Sequence, residues 1–343
     1  MVRGHVFLLV LAVWSLGLAA SSDGTLRIHV IDTEGGKAIL VVGPNGQAML
    51  VDAGFPGFSG RDADRIEKTV KACGLDHLDW LVVTHYDVDH VGNVPEVASR
   101  IRVDTFIDHG QPSVDDQRTR GFFEAYLQSA QKARRLIVKP GDRIPMAGVE
   151  IIVVSAAGAL IDRPIDGNGV PNPYCQAVSP KQWSGTDEDA SENAQSIGLL
   201  YRFGRFRMLD LADLTWNKEL ALVCPVNRIG QVDVFIVSHH GHDISNSPAL
   251  VHAIRPRVAI MENGPRKFGR PDTMKVVRSS PGLEAFYQTH WSFLAGQLNS
   301  EDDLIANLQE GPDGNGLVLV AQPDGTFTVT NARTGQVRRF SRQ

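Results

Sequence analysis

From residue 26 the apolar positions alternate with polar ones: Leu26, Ile28 and Val30 share one face, and residues 38–42 and 48–51 repeat a strand signature. Gly35-Gly36 and Asn45-Gly46 stand between these runs, so the pattern predicts two hairpins in series. The third run ends in Asp52-Ala53-Gly54, after which Ile66, Val70 and Cys73 recur at helical spacing on a segment opened by Asp62 and Asp64. A helix then leads to an apolar strand over 80–83, and a further strand over 103–107 follows a short helical stretch. Residues 158–192 break this rhythm with Pro164, Pro171, Pro173 and Pro180, and read as a long surface loop near the mouth of a cleft. A second β-rich half follows over 197–203, 206–211 and 232–237, with a Leu-rich helical stretch at 218–223 between the last two. Residues 317–321 and 327–330, joined by Pro323-Asp324-Gly325, predict a terminal hairpin.

Composition sharpens this picture in three places. With 343 residues, 43% hydrophobic and 21% charged, the chain has enough apolar material for one large globular domain with appendages. Its first residues carry Arg3, an apolar run over 6–20 and the small residues Ala19, Ala20, Ser21 and Ser22, the layout of a signal peptide. The run is shorter than the roughly 20 residues of a membrane-spanning helix, so export is expected, with no span left after cleavage. The predicted organisation is a signal peptide over 1–22, a main domain over 23–300 and a β-hairpin extension over 301–343.

The net charge of −5, or −6 once Arg3 is removed, gives no broad basic surface for nucleic acid. Two local basic runs, Lys132/Arg134/Arg135/Lys139 and Arg333/Arg338/Arg339/Arg342, read as solvated surface. Cys73, Cys175 and Cys224 are odd in number and fit no C-x-x-C zinc pattern, so buried thiols are expected, although an oxidising compartment permits one bridge. Dinucleotide-binding glycine and P-loop patterns are not evident, so nucleotide cofactors are not implied, and the serine-elbow pattern is also missing.

The chemistry concentrates in the loop after the strand at 80–83. His85, Asp87, Asp89 and His90 place four ligand-type side chains within six residues, followed by Gly92. Imidazole and carboxylate together suit Zn²⁺, and carboxylate moves the preference towards harder ions such as Mn²⁺. A solvated turn of the same length would mix in Asn, Ser, Lys and Glu. Asp213 ends the apolar run 206–211, the same strand-end placement as His85; its plainer reading is a helix N-cap before 218–223. His239 and His240 follow the strand at 232–237, and alternation along a strand lets one of them turn readily into the cleft. His240, beside Gly241, is the choice, with His239 behind the ligands or against substrate.

The run from Thr84 to Gly92, with Asp52-Ala53-Gly54 upstream, resembles the signature of the metallo-β-lactamase superfamily. Asp87 where many members have His is similar to the extracytoplasmic hydrolase domain of ComEC-type DNA-uptake proteins. Ile31-Asp32 with Gly36 and Ala38, residues 191–197, Asp210-Leu211-Ala212-Asp213 and Ser238-His239-His240-Gly241 resemble successive blocks of that subgroup, from about residue 26 to about 271. The resemblance implies an α/β, four-layer αββα sandwich and one or two divalent metals. It also implies His85 and Asp87 as ligands of a first site, Asp89, His90 and His240 as ligands of a second, and Asp213 bridging them. Asp52, His109 and Asn193 would stand behind the ligands or touch substrate.

Three departures matter. No His lies between His109 and His239 to complete the first site, so Glu192, Asn193 or water would have to substitute. Glu34-Gly35-Gly36-Lys37 stands where the subgroup has Gly-Gln-Gly-Asp, and Gly269-Arg270-Pro271 where it has Gly-His-Pro.

A bound metal brings the pKa of water from about 15.7 towards about 7 and makes hydroxide at neutral pH, with Asp89 or Asp213 orienting it. The expectation is hydrolysis of a phosphodiester or similar anionic, small-molecule or nucleotide-type substrate. The alternatives are a lactonase, esterase or β-lactamase-like enzyme, and a non-catalytic metal-binding or sensing module.

Overall fold

The computed structural model describes residues 23–166, 169–177, 189–311 and 314–341. The expected signal peptide, Pro180 and Arg342 lie outside the described residues. No described helix is long and apolar enough to cross a membrane.

Alternation in the first strands builds the first sheet. In β1 (Leu26–Val30), Leu26, Ile28 and Val30 are buried while Arg27 and His29 are partly exposed. Strand β2 (Ile39–Val42) pairs antiparallel with β1, and β3 (Ala48–Val51) antiparallel with β2, as the two hairpins predicted. Helix α1 (Arg61–Ala72) returns the chain to β4 (His77–Val82), parallel to β3. Helix α2 (Val88–Val91), helix α3 (Val94–Arg100), β5 (Arg102–Asp108), α4 (Gln117–Ala130) and β6 (Arg134–Ile137) extend the parallel part. Asp116 caps α4 by accepting from the backbone N–H groups of Arg118 and Thr119, leaving Phe123 and Tyr126 facing the sheet.

A second sheet begins with β7 (Arg143–Ile144), β8 (Glu150–Ala156) and β9 (Ala159–Leu160). The described parts of 158–192 hold β9, the short β10 (Val170–Pro171) and a helical turn over Pro173–Ala177. Then come β11 (Gly198–Phe203), β12 (Phe206–Asp210), α5 (Trp216–Val223), β13 (Val226–Asn227), β14 (Val234–Ile236), α6 (Pro248–Ile254), β15 (Val258–Met261), α7 (Pro271–Arg278), β16 (Ala285–His290) and β17 (Ile305–Asn307). From β12 to β17, leaving aside β13, neighbouring strands run parallel. The expected terminal hairpin forms as β18 (Leu317–Ala321) and β19 (Phe327–Asn331), joined by β20 (Val337–Phe340). It is continuous with the first sheet, because β18 pairs antiparallel with β1.

The layers follow from which face each strand buries. Ile28, Met49, Val51, Leu199, Met208, Val234 and Phe327 meet between the two sheets. Helices α1, α3 and α4 cover the outer face of the first sheet, and α5, α6 and α7 that of the second. The result is the four-layer helix–sheet–sheet–helix sandwich.

Two sequence expectations need correction here. Cys175 and Cys224 are not thiols but a disulfide. Asn172 donates to the carbonyls of Val223 and Ala249, drawing the turn that carries Cys175 onto the end of α5, a proximity that spacing cannot reveal. Cys73 is free. Arg135, expected to be solvated, instead pairs through Nε (2.6 Å) and a terminal nitrogen (2.8 Å) with the buried carboxylate of Asp108.

Candidate metal centre

The carboxyl ends of parallel strands from both sheets meet at one edge of the sandwich, where open α/β sheets place ligands. Asp52 follows β3, residues 84–90 follow β4, Asp213 follows β12, Ser238–Gly241 follows β14 and Glu262 follows β15. Ligand atoms of Asp89, His90, Asp213 and His240 lie within 4.8 Å of one another, and all four residues are buried.

Hydrogen bonds behind the cluster decide which imidazole atoms face it. His90 Nδ1 is 2.8 Å from Asp52 Oδ2, and His240 Nδ1 is 3.1 Å from the Glu262 carbonyl. Both partners are acceptors, so each ring donates from Nδ1 and turns the Nε2 lone pair inward. Thr84 Oγ1 donates to Asp52 Oδ2 at 2.7 Å and accepts from His85 Nδ1 at 3.1 Å, which leaves His85 Nε2 for the centre as well.

The inward atoms have the chemistry of a cation site. His90 Nε2 and His240 Nε2 stand 3.2 Å apart with their Nδ1 protons committed elsewhere, a contact that a proton or a cation shared between them satisfies. His85 Nε2 and Asp213 Oδ1 are buried and have no hydrogen-bond partner among the described residues. Burial opposes charge on His90, yet the carboxylates of Asp213, Asp52 and Asp89 hold its imidazole well above the ordinary range. Burial likewise opposes ionisation of Asp213, but His239, His90 and His240 bring its carboxyl well below the usual range. Burial and the neighbouring Lys267 pull His240 down to about 4, which keeps it neutral and able to donate a lone pair. The residues present fit a divalent cation.

The sequence-predicted residues divide around this cluster. Asp213 Oδ2 lies 3.3 Å from His90 Nε2 and 3.9 Å from His85 Nε2, between the two groups of expected ligands. Asp87 Oδ2 is 3.7 Å from His85 Nε2, with a side chain 43% exposed.

His239 turns inward too, with Nε2 3.3 Å from Asp213 Oδ2. The expectation that one of the two histidines would stay behind the other fails because both have left-handed backbone, φ 53° and 52°. Strand alternation therefore does not apply to them. His239 thus brings a further imidazole to Asp213, outside the cluster of Asp89, His90, Asp213 and His240. Glu192 does not take the place expected of it beside His85: one carboxylate oxygen accepts from Tyr86 N–H and His109 Nε2, the other from the Ser113 N–H and hydroxyl. His109 thus sits a layer back, its ring centroid 4.6 Å from that of Tyr86.

A cavity of about 480 Å³ opens over Asp87 and Asp89, lined also by Val114, Arg118, Phe122 and Asn193. Asn193 Oδ1 is buried and has no hydrogen-bond partner among the described residues. On another side of the centre Lys267, which sequence reasoning overlooked, donates to Asp89 Oδ2. Below it Lys37 is fully enclosed, 2.7 Å from Glu262 Oε2 and 3.1 Å from Asp210 Oδ2. Lys37 is thereby matched to two buried acids.

Residues 32–160 match the family model of the Metallo-beta-lactamase superfamily. No curated protein matches the chain. Solved structures similar to it include YhfI from Bacillus subtilis, a metallo-beta-lactamase fold protein, at 12% identity over 76% of this chain and 95% of that one, TM-score 0.46. Tm1679, a metal-dependent hydrolase of the beta-lactamase superfamily, is similar at 12% identity over 78% of this chain and 97% of its own, TM-score 0.44. The E377D mutant of CmlA beta-hydroxylase is similar at 14% identity over 78% of this chain, TM-score 0.43, and this chain covers 52% of that protein. Layer order, strand-end placement of the His/Asp cluster and the family match together show that the chain has the metallo-β-lactamase superfamily fold, with a buried cluster able to hold a metal.

Proposed function

We propose that the chain is an exported metal-dependent hydrolase acting on a phosphodiester or comparable anionic ester. The observation that carries the reading is the inward convergence of His90 Nε2, His240 Nε2, Asp89 and Asp213, all buried, with both imidazoles backed by bonds that fix them. When bound there, a divalent cation supplies an acidified water and an electrophilic pull on a phosphoryl or carbonyl oxygen.

The protein's own groups do the remainder. Asp52 and the Glu262 carbonyl fix the tautomers of His90 and His240. Asp89 and Asp213 orient the attacking water and take up its proton. Lys267 and Arg118 are the cations facing the centre and its cavity, and they favour an anionic substrate. Asp87 in the ComEC-type pattern points the same way and away from a β-lactamase. Export is supported by the layout of residues 1–22 and by the Cys175–Cys224 bridge, a bond characteristic of oxidising compartments.

The test is a substrate panel with metal-loaded protein. Bis(p-nitrophenyl) phosphate should be cleaved, chelator should abolish cleavage, and Asp89→Asn or His90→Ala should do the same. Preferential turnover of lactones or lactams would move the assignment to the esterase and lactamase class. Full metal occupancy with no turnover of any ester, amide or phosphodiester would make the chain a binding module.

A further inference from the structure

The loop after β3 runs Gly54-Phe55-Pro56-Gly57-Phe58-Ser59-Gly60 and is seated directly on the metal-ligand loop. A Cβ at Gly36 would lie 3.2 Å from the Phe55 ring and 2.8 Å from the Asp89 carbonyl, and one at Gly92 would lie 2.6 Å from Pro56. Two glycines thus allow Phe55 and Pro56 to press against the His/Asp segment. At the outer end of the loop Phe58 is 65% exposed on left-handed backbone (φ 47°), between Gly57 (φ 83°) and Ser59 (φ 55°). A phenyl group presented to solvent on backbone that resists a side chain calls for a function.

Its neighbours supply one. The rings of Phe58 and Phe55 meet edge to face at 6.1 Å, and Lys267 Nζ lies 4.9 Å from the Phe55 centroid and 5.1 Å from that of Phe268. Phe268 in turn stacks on His240 at 6.0 Å with planes 12° apart. A shelf of contacts from Phe58 through Phe55, Lys267 and Phe268 to His240 therefore leads from solvent to the metal centre, and the ammonium group within it is bonded to Asp89. The loop carrying Lys267 and Phe268 is tied down: the Gly264 N–H donates to the Lys267 carbonyl, and the Gly269 N–H to that of His240.

We infer that this shelf is a substrate subsite for a planar aromatic ring attached to the anionic group cleaved at the centre. The inference rests on the hydrolase reading and adds what flanks the scissile bond. Lys267 meets the anion, Phe55 and Phe58 meet the ring, and stacking accepts any flat π-face. A nucleobase and a simple aryl group share this chemistry, and the substrates chosen below separate them.

The experiment compares kcat/KM of the metal-loaded chain for the trifluoroethyl phosphodiesters of thymidine (5′-linked), phenol and methanol, release of trifluoroethanol being followed by fluorine NMR, in wild type, Phe58→Ala and Phe58→Tyr. The ring-bearing esters should exceed the methyl ester by about tenfold, chiefly through KM, and Phe58→Ala should bring that ratio close to one while Phe58→Tyr retains it. Thymidine above phenyl assigns a nucleotide; parity assigns an aryl ester. A wild-type ratio near one, or an unchanged ratio in Phe58→Ala, overturns the subsite. Should none of the three esters be cleaved, the hydrolase reading alone falls. Calorimetric titration of metal-loaded protein with thymidine 5′-monophosphate against methyl phosphate then decides. Tighter, Phe58-dependent binding of the nucleotide supports the shelf, and equal binding overturns it.

Discussion

His90 Nδ1 lies 2.8 Å from Asp52 Oδ2, and neither side chain reaches solvent. The same carboxylate accepts from the Thr84 N–H at 2.8 Å and its hydroxyl at 2.7 Å, so one residue at the end of β3 aligns both imidazoles of the loop after β4. An amide at this position has one acceptor oxygen for three donors. Asp52→Asn should weaken metal binding about 10- to 100-fold while leaving the fold intact. Competition against a chromogenic chelator measures this, and an unchanged affinity would show that Asp52 does not orient the ligands.

Lys37 is a buried cation held by two buried acids, and burial alone would discharge it. Asp210 and Glu262 instead raise its pKa above the ordinary lysine value. Lys37→Met leaves those carboxylates facing each other and should cost about 3–5 kcal/mol in urea unfolding. Adding Glu262→Gln to that variant should recover part of the loss. A Lys37→Met protein as stable as wild type would refute the pairing.

His239 offers a separate test of the centre's two sides. Its Nε2 reaches Asp213 but is not among the four convergent ligands around His90. Anomalous diffraction from metal-loaded crystals should show His239→Ala losing metal from the His85 side while the His90 side stays loaded, whereas His240→Ala should deplete the His90 side. Loss from the same side in both variants would contradict this division.

Away from the centre, burial, aided by the charge of Arg27, lowers the pKa of His29 from its ordinary 6.5 to about 4. Below the unfolded value the denatured chain takes up a proton that the native chain refuses. Stability conferred by neutral His29 is therefore present above pH 6.5 and is lost as the pH falls towards about 4. The loss is at most about 3 kcal/mol. His29→Gln should flatten the denaturant midpoint against pH across this window, and an equally steep curve would refute the assignment.

The readings that came straight from the sequence depend on neighbours along the chain. Alternation at Leu26, Ile28 and Val30 reports its own buried face, and His85, Asp89 and His90 share one loop, so their clustering is visible as spacing. Strands such as Val258–Met261 are buried on both faces and carry no alternation to read. That His239 as well as His240 turns towards Asp213 was not legible, because two consecutive left-handed residues cancel the alternation that a strand exit implies. Lys37 finds Glu262, and Lys267 finds Asp89, across separations of 225 and 178 residues that only the packed sheets bring together. The Cys175–Cys224 bridge, 49 residues apart, was hidden for the same reason.

The central claim is that these side chains hold a metal, and anomalous diffraction from zinc- or manganese-loaded crystals tests it most directly. The account predicts an anomalous peak about 2.0–2.2 Å from His90 Nε2, His240 Nε2 and carboxylate oxygens of Asp89 and Asp213. Loaded crystals with no peak among these atoms, or with metal bound only elsewhere on the molecule, would contradict it.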